Sequence, residues 1–326
     1  MLELLNLLKH QHIIPHLASY IHGDRFNLVF PLAEADLESF LTGDVSTHMP
    51  NKDQIWLQAY GLTSAIDSLH NYQNHNMQED DLEKIGYHHD LKPHNILIKD
   101  GTFLLADFGL ARLRDLESGS STIHKYGALT YGAPETVAKP GNSKIRVDRA
   151  LDIWSWGCIL LELVTFALMN STGVVDFRRF RRTEVGMRID YCFHDRKELK
   201  AEVKEWIQLL RREINNENGV HEKFLDEVLM LIERMLVAEP SKRPSSAVVL
   251  RCFQLSLTNT GLLSKYNHHA MDSNRDSITV TSQLFDAVSL ENTGADEENV
   301  MENLADFLED DHPVMRALKL SKLNRQ

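Results

Sequence analysis

The apolar positions change period as the chain runs. Leucines at 2, 4, 5, 7 and 8 make a helical stripe over residues 1–12. Ile13 to Pro31 then predicts two short strands, with Gly23-Asp24 as the turn and Phe26-Asn27-Leu28-Val29-Phe30 as the second strand. Helical spacing returns from Asp36 to Leu41 and from Asp53 to Tyr72, and the polar stretch Asn74 to Gly86 predicts a surface insertion. Two short apolar runs, Asn95 to Ile98 and Thr102 to Ala106, flank Asp100-Gly101. That pattern predicts a hairpin, because Asp-Gly admits the left-handed backbone that a two-residue turn requires. The Ser/Gly-rich segment Glu117 to Thr122 predicts a mobile loop, and helices are predicted to dominate from Asp148 to about Leu255. One apolar run, Leu151 to Met169, is long enough to suggest a membrane span. It contains Asp152 and Glu162, and charges are costly inside a bilayer, so it is predicted to be a buried central helix with no membrane contact. From Thr258 onward the chain is polar and acidic, which predicts a largely flexible tail with one short helix near Met301 to Leu308.

Composition narrows the function classes. The chain has 326 residues, 43% hydrophobic and 25% charged, enough for one large domain or two small ones. Its net charge of −12 is concentrated in the tail, where Asp276 to Val314 holds eleven acids and no Lys or Arg. A broadly basic nucleic-acid binder is therefore not expected. Cys158, Cys192 and Cys252 form no C-x-x-C pair, which excludes a disulfide scaffold and a Cys-rich zinc module. It also predicts a reducing, intracellular location, cytoplasmic or nuclear. Glu3 among the first leucines and the lack of a cationic stretch before them do not fit a signal peptide. His10, His12 and His16 have no Cys or Asp at ligand spacing and are read as surface histidines. The run Arg178-Arg179-Phe180-Arg181-Arg182 is read as decoration on a loop after the central helix, and Trp154 and Trp156 as core.

The chemistry-bearing stretch is His88-His89-Asp90-Leu91-Lys92-Pro93-His94-Asn95, followed twelve residues after Asn95 by Asp107-Phe108-Gly109. Phosphoryl transfer needs a carboxylate to orient the attacking hydroxyl, oxygen ligands for Mg²⁺, and a cation to offset charge on the transferring group. Asp90 supplies the first, Asn95 and Asp107 the second, and Lys92 the third. The hairpin between Asn95 and Asp107 returns both metal ligands to one end of a small sheet.

This constellation resembles the catalytic and magnesium loops of eukaryotic protein kinases. Further matches follow in order: Tyr131-Gly132-Ala133-Pro134-Glu135 is similar to the end of an activation segment, and Asp152-Ile153-Trp154-Ser155-Trp156-Gly157 to the start of the buried central helix. Glu239-Pro240-Ser241-Lys242-Arg243-Pro244 is similar to the late motif whose arginine pairs with the Ala-Pro-Glu glutamate, which implies a Glu135–Arg243 ion pair. Leu28 to Ala33 with Asp36-Leu37 is similar to the hinge strand and the next helix. Small-molecule kinases of the aminoglycoside or choline type share the catalytic loop but lack the Ala-Pro-Glu segment and the D-I-W-S-W-G helix. Asp90-Leu91-Lys92 favours the serine/threonine branch, and H-H-D-L-K-P resembles a group of fungal kinases.

The resemblance implies an α+β, bilobal kinase-like fold: residues 1–33 as the end of the small lobe, 34–257 as the helical large lobe, and 258–326 as tail. It implies ATP and Mg²⁺ as cofactors and a protein Ser or Thr as acceptor, with Asp90 and Lys92 catalytic, and Asn95 and Asp107 on the metal. It also implies Ala33 offering hinge backbone to adenine, Leu97 flooring the purine, and Asp36 facing the ribose. Three departures stand out. Met1 falls where the family has its helix glutamate, no G-x-G-x-x-G precedes the hinge, and Lys9, expected on the first helix, is the only lysine before Lys52. Two readings of this follow: upstream coding sequence supplies a normal small lobe, or the short protein is a pseudokinase-like binding scaffold. The intact Asp90, Lys92, Asn95 and Asp107 set favours an active parent kinase. The chain by itself is expected to be poorly active, because phosphate positioning supplies much of the rate. His89 stands where many kinases have arginine, which weakens the case for loop phosphorylation as a control. Ala128 replaces a common threonine and affects the expected substrate preference more than the fold.

Overall fold

A computed structural model describes residues 8–44, 52–72, 84–109, 111–115, 129–136, 149–185, 188–215 and 220–262. The leucine stripe at residues 1–7, most of the polar stretch before Gly86, the Ser/Gly-rich segment, Ala128 and the acidic tail lie outside them.

The chain enters through a β-hairpin, β1 (Ala18–His22) and β2 (Arg25–Val29), in register from Ala18 opposite Val29 to His22 opposite Arg25. Gly23 turns it with φ of 61°, a left-handed value that glycine adopts without steric cost. After the linker at residues 30–34 comes the two-residue strand β3 (Ala35–Asp36), which leads straight into helix α1 (Leu37–Thr42). Asp36 caps that helix, its Oδ1 accepting from the Ser39 amide at 2.8 Å and the Ser39 hydroxyl at 2.7 Å. Helix α2 (Lys52–His70) follows. Strands β4 (Lys84–Tyr87) and β7 (Arg112–Asp115) pair antiparallel, so the predicted insertion ends in a strand at Lys84. Between them β5 (Ile96–Lys99) and β6 (Thr102–Leu105) form the second hairpin. Its turn residues Asp100 and Gly101 have φ of 49° and 72°, the paired positive values that the Asp-Gly sequence announces. The sheet order β3-β5-β6 is extended by a parallel bridge from Ile13 to Leu105.

The helical body is built on α3 (Arg149–Phe180), with the small hairpin β8 (Thr183–Val185) and β9 (Arg188–Asp190), and α4 (Ala201–Ile214), α5 (Val220–Met235) and α6 (Ser246–Asn259). Helix α3 is long and apolar enough to cross a bilayer by length and composition. Here α1, α4 and α5 pack on it and bury Trp154, Trp156 and the run Cys158 to Leu161, and that packing accounts for its apolarity. Helix α3 is also bent at Asn170, whose φ of 58° and ψ of −164° leave the helical region. The packed body continues past the tail boundary expected at 258: α6 runs to Asn259 and Leu262 is buried.

Two sequence expectations are corrected here. Lys9 lies in irregular backbone, not on a helix. The early histidines are not a surface set: His12 is buried and His10 half-buried. Segment 10–14 lies along β6, where the His12 carbonyl accepts from the Leu105 amide at 2.8 Å and its ring Nδ1 donates to the Phe103 carbonyl at 2.8 Å. The ring then presses on α2 at Gly61, where an added Cβ would stand 2.0 Å from His12 Nε2. His10 Nε2 meets the Ser64 hydroxyl at 3.1 Å.

Burial lowers the pKa of His10, His12 and His194 to about 4 each, the His12 charge adding to the effect at His10. The sign follows: below pH 6.5 the unfolded chain binds protons that these folded sites refuse, so stability is lost as pH falls toward about 4. For His12 alone the loss at pH 4 is on the order of 3 kcal/mol. Melting temperature is expected to fall steeply between pH 6.5 and 4.5, and a His12→Gln variant to show a shallower dependence. A flat profile would contradict the buried neutral state.

Candidate active site

The loop carrying Asp90 is shaped by an acid inside the apolar helix. Asp152, 1% exposed on the first turn of α3, accepts from the His88 amide (2.7 Å) and the His70 ring (3.0 Å) on Oδ2, and from the His89 amide (2.7 Å) on Oδ1. Burial would push its carboxyl up, but the His70 hydrogen bond and the surrounding histidines outweigh that and hold it at about 2. Two consecutive amides captured by one carboxylate force a sharp bend, and His89 takes a left-handed φ of 64°. The His89 ring stacks on Tyr87 at 3.8 Å.

His88 joins this loop to the next. Its Nε2 faces the Ala106 carbonyl at 2.9 Å and so carries the proton, leaving Nδ1 to accept the Asp90 amide at 3.3 Å. Burial lowers its pKa, which suits a neutral ring with one donor and one acceptor. The expected backbone-anchoring role is what the ring performs. Phe108, buried, packs edge-on against it at 5.0 Å, while Leu5, its expected neighbour, lies outside the described residues.

Around Asp90 the side chains converge. Lys92 Nζ donates to Asp90 Oδ2 at 2.7 Å, and Asn95 Nδ2 donates to the same oxygen at 2.9 Å and to the Asp90 carbonyl at 2.8 Å. Pro93 starts the short 3₁₀ turn Pro93–Asn95 that brings Asn95 back, a position where its missing N–H costs nothing. With its nitrogen committed to Asp90, the Asn95 amide has its oxygen left for a cation. The Asn95 carbonyl accepts from the Ala106 amide at 2.8 Å, placing Asp107 at the mouth of the hairpin. Asp107 is exposed, has φ of 57°, and accepts the Gly109 amide on Oδ1 at 3.2 Å. An amide oxygen and a carboxylate are hard donors that suit Mg²⁺, which keeps waters and substrate phosphates as its other ligands. Among the described residues no group of three or more His, Cys, Asp or Glu has metal-cluster geometry.

The model of the protein kinase domain matches residues 2–253 of the chain. The chain belongs to the protein kinase family. It is 32% identical over 166 residues to cyclin-dependent kinase D-1 of Arabidopsis thaliana, covering 50% of this chain and 36% of that protein. It is 34% identical over 163 residues to serine/threonine-protein kinase TIO of the same plant, covering 50% of this chain and 11% of that protein. The chain thus spans about a third or less of the length of these curated relatives.

In this kinase domain the residues expected on the nucleotide side lie on or beside one sheet. Asp36 lies opposite Leu97 across the β3–β5 ladder, and the Glu34 amide, next to Ala33, donates to the Ile98 carbonyl at 2.9 Å. Leu97 packs with Phe30 against Ile14, Leu104 and Ala106, an apolar cluster apart from the main core. Leu97 follows Asn95 by two residues, so β5 ties this cluster to the Asp90 group. Asp36 spends one carboxylate oxygen on its helix cap, a role the motif alone did not announce. The Glu135–Arg243 pair forms as a fork at 2.6 and 2.8 Å, and Arg243 also donates to the carbonyls of Val237, Ala238 and Ala150.

Three contributors were not assigned from sequence. Asp152 was visible as a charge in an apolar run, and that was its signal. Arg178, on the last turn of α3, and Arg181, in the turn just after it, were expected on a loop; Arg181 is 1% exposed. They were not assigned because the Asn170 bend, which decides where they point, has no marker in the sequence pattern.

Proposed function

We propose that this chain is a serine/threonine protein kinase domain transferring the γ-phosphate of ATP to a protein Ser or Thr hydroxyl. The observation that supports this most directly is the convergence of Lys92 and Asn95 on one oxygen of Asp90, with Asp107 set beside them through Ala106. Asp90 orients the acceptor hydroxyl and takes its proton as the new O–P bond forms and the bond from the γ-phosphorus to the bridging oxygen breaks, with ADP as the leaving group. Lys92, held by Asp90, faces the transferring group and offsets its charge. Asn95 and Asp107 would hold Mg²⁺, whose chemistry is to neutralise the phosphate oxygens. Leu97 and the Ala33 backbone receive the adenine and Asp36 the ribose. The names of both curated relatives and Lys92 two residues after Asp90 support Ser/Thr over Tyr as acceptor.

The test is calorimetry of Mg²⁺–ATP on the whole chain, together with radiolabel transfer to peptides carrying a single Ser, Thr or Tyr. Asp107→Asn is expected to weaken Mg²⁺-dependent nucleotide binding at least tenfold and leave magnesium-free binding within twofold. Transfer to Tyr alone, or binding and transfer indifferent to Asp107→Asn, would overturn the assignment. A chain that takes up no nucleotide would instead be the binding scaffold that the sequence allows.

A further inference from the structure

Sixteen residues of straight helix span about 24 Å. Arg178 nevertheless donates from Nε to Glu162 Oε1 at 3.0 Å and from Nη2 to Glu162 Oε2 at 2.8 Å, because the bend at Asn170 folds the end of α3 back beside its middle. The same guanidinium reaches Glu38 of α1, through Nη2 to Oε2 at 2.8 Å and through Nη1 to Oε1. Tyr131 completes the group, its hydroxyl donating to Glu162 Oε2 at 2.9 Å. Arg178 therefore connects two parts of the molecule that the backbone keeps 93 residues apart, Glu38 and Tyr131.

Where these parts stand gives the contact its meaning. Helix α1 is capped by Asp36, opposite Leu97 on the nucleotide side. Tyr131 belongs to the segment Leu129–Thr136, and its carbonyl accepts the Ser155 hydroxyl at 2.8 Å. Ser155 lies three residues beyond Asp152 on one face of α3, and Asp152 carries the Asp90 loop. Segment 129–136 thus runs one helical turn from the loop bearing Asp90, and an acceptor peptide approaching Asp90 from that side meets it. Glu135 anchors its far end to Arg243, and the near end rests on the Arg178 group.

We propose that Arg178 is a positioning residue for the acceptor peptide: it fastens segment 129–136 to α1, so that the acceptor wall and the nucleotide-side helix keep one register. The inference rests on the kinase reading for its consequence, but the fastening is measurable without turnover. Glu38→Gln removes the α1 end and leaves the Arg178–Glu162 contact, and Arg178→Lys keeps the charge but loses the fork. In Glu38→Gln, hydrogen exchange of amides 129–136 is expected to quicken about tenfold while β5 and β6 stay unchanged. Acceptor-peptide KM is expected to rise five- to twentyfold with ATP KM within twofold, and Arg178→Lys to show a smaller rise than Arg178→Gln. Exchange that is unchanged at 129–136, or that quickens equally throughout the domain, would overturn the proposal and leave Arg178 a stabilising ion pair only. If neither the parent chain nor any variant transfers phosphate, the kinase reading fails, and the exchange pattern alone decides whether the fastening exists.

Discussion

Asp90→Asn is expected to lower phosphoryl transfer by about 10²–10⁴-fold, the usual contribution of a positioned base, with nucleotide affinity within threefold. Asp90 Oδ2 is held by two donors, Lys92 at 2.7 Å and Asn95 at 2.9 Å. An asparagine keeps its oxygen against them only by putting an NH₂ where the second carboxylate oxygen stands. The acceptor hydroxyl then meets a donor with no affinity for its proton. Loop shape does not depend on that oxygen: the bend is held by Asp152 on the amides of His88 and His89. Melting temperature is therefore expected to move by only a few degrees, which separates loss of chemistry from loss of fold. Single-turnover measurement at saturating Mg²⁺–ATP is the check, and transfer that survives within threefold would remove Asp90 from its role.

Glu162→Ala is expected to cost about 3–5 kcal/mol, the usual result of removing one partner from a buried ion pair. The carboxylate is fully buried, and Arg178, Arg181 and the Tyr131 hydroxyl all point at it. Without it Arg178 keeps Glu38. Among the described residues Arg181 then keeps the Tyr191 carbonyl and the faces of Phe177 and Phe193, with its centre 4.5 and 4.2 Å from them. A buried cation so placed is poorly compensated, and a domain stable by about 5–15 kcal/mol has little to spare. Chemical denaturation should show the loss as an earlier midpoint. Replacing Glu162 and Arg181 together with methionine should recover a good part of it, because an absent pair is much cheaper than half of one. A single variant costing under about 1 kcal/mol would mean that the group is well hydrated.

How far the sequence disclosed this molecule depends on how local each cause is. Gly23 and Asp100-Gly101 specify their turns through backbone preference within two residues, and both hairpins lie where the pattern put them. Glu135 and Arg243, 108 residues apart, were paired through the motif resemblance, and the fork between them bears this out. Strands β8 and β9 were missed because three-residue strands carry no usable alternation. Asp152 counts in the sequence only against a bilayer; its structural benefit depends on backbone amides that reach it only after the chain has folded. The arginine run misled for a related reason. Charge and spacing describe a surface equally well, and only the reversal at Asn170 turns Arg178 and Arg181 inward. His12 was misplaced because its compensating features, the absent side chain at Gly61 and the Phe103 carbonyl, come from distant elements.

The imidazole of His88 has one further implication. A flat, rigid ring spans the amide of Asp90 and the carbonyl before Asp107, so the backbones of the two loops that carry these carboxylates meet through one side chain. Taking the imidazole away would release the Asp90 amide and the Ala106 carbonyl at once, so one substitution there loosens both loops together.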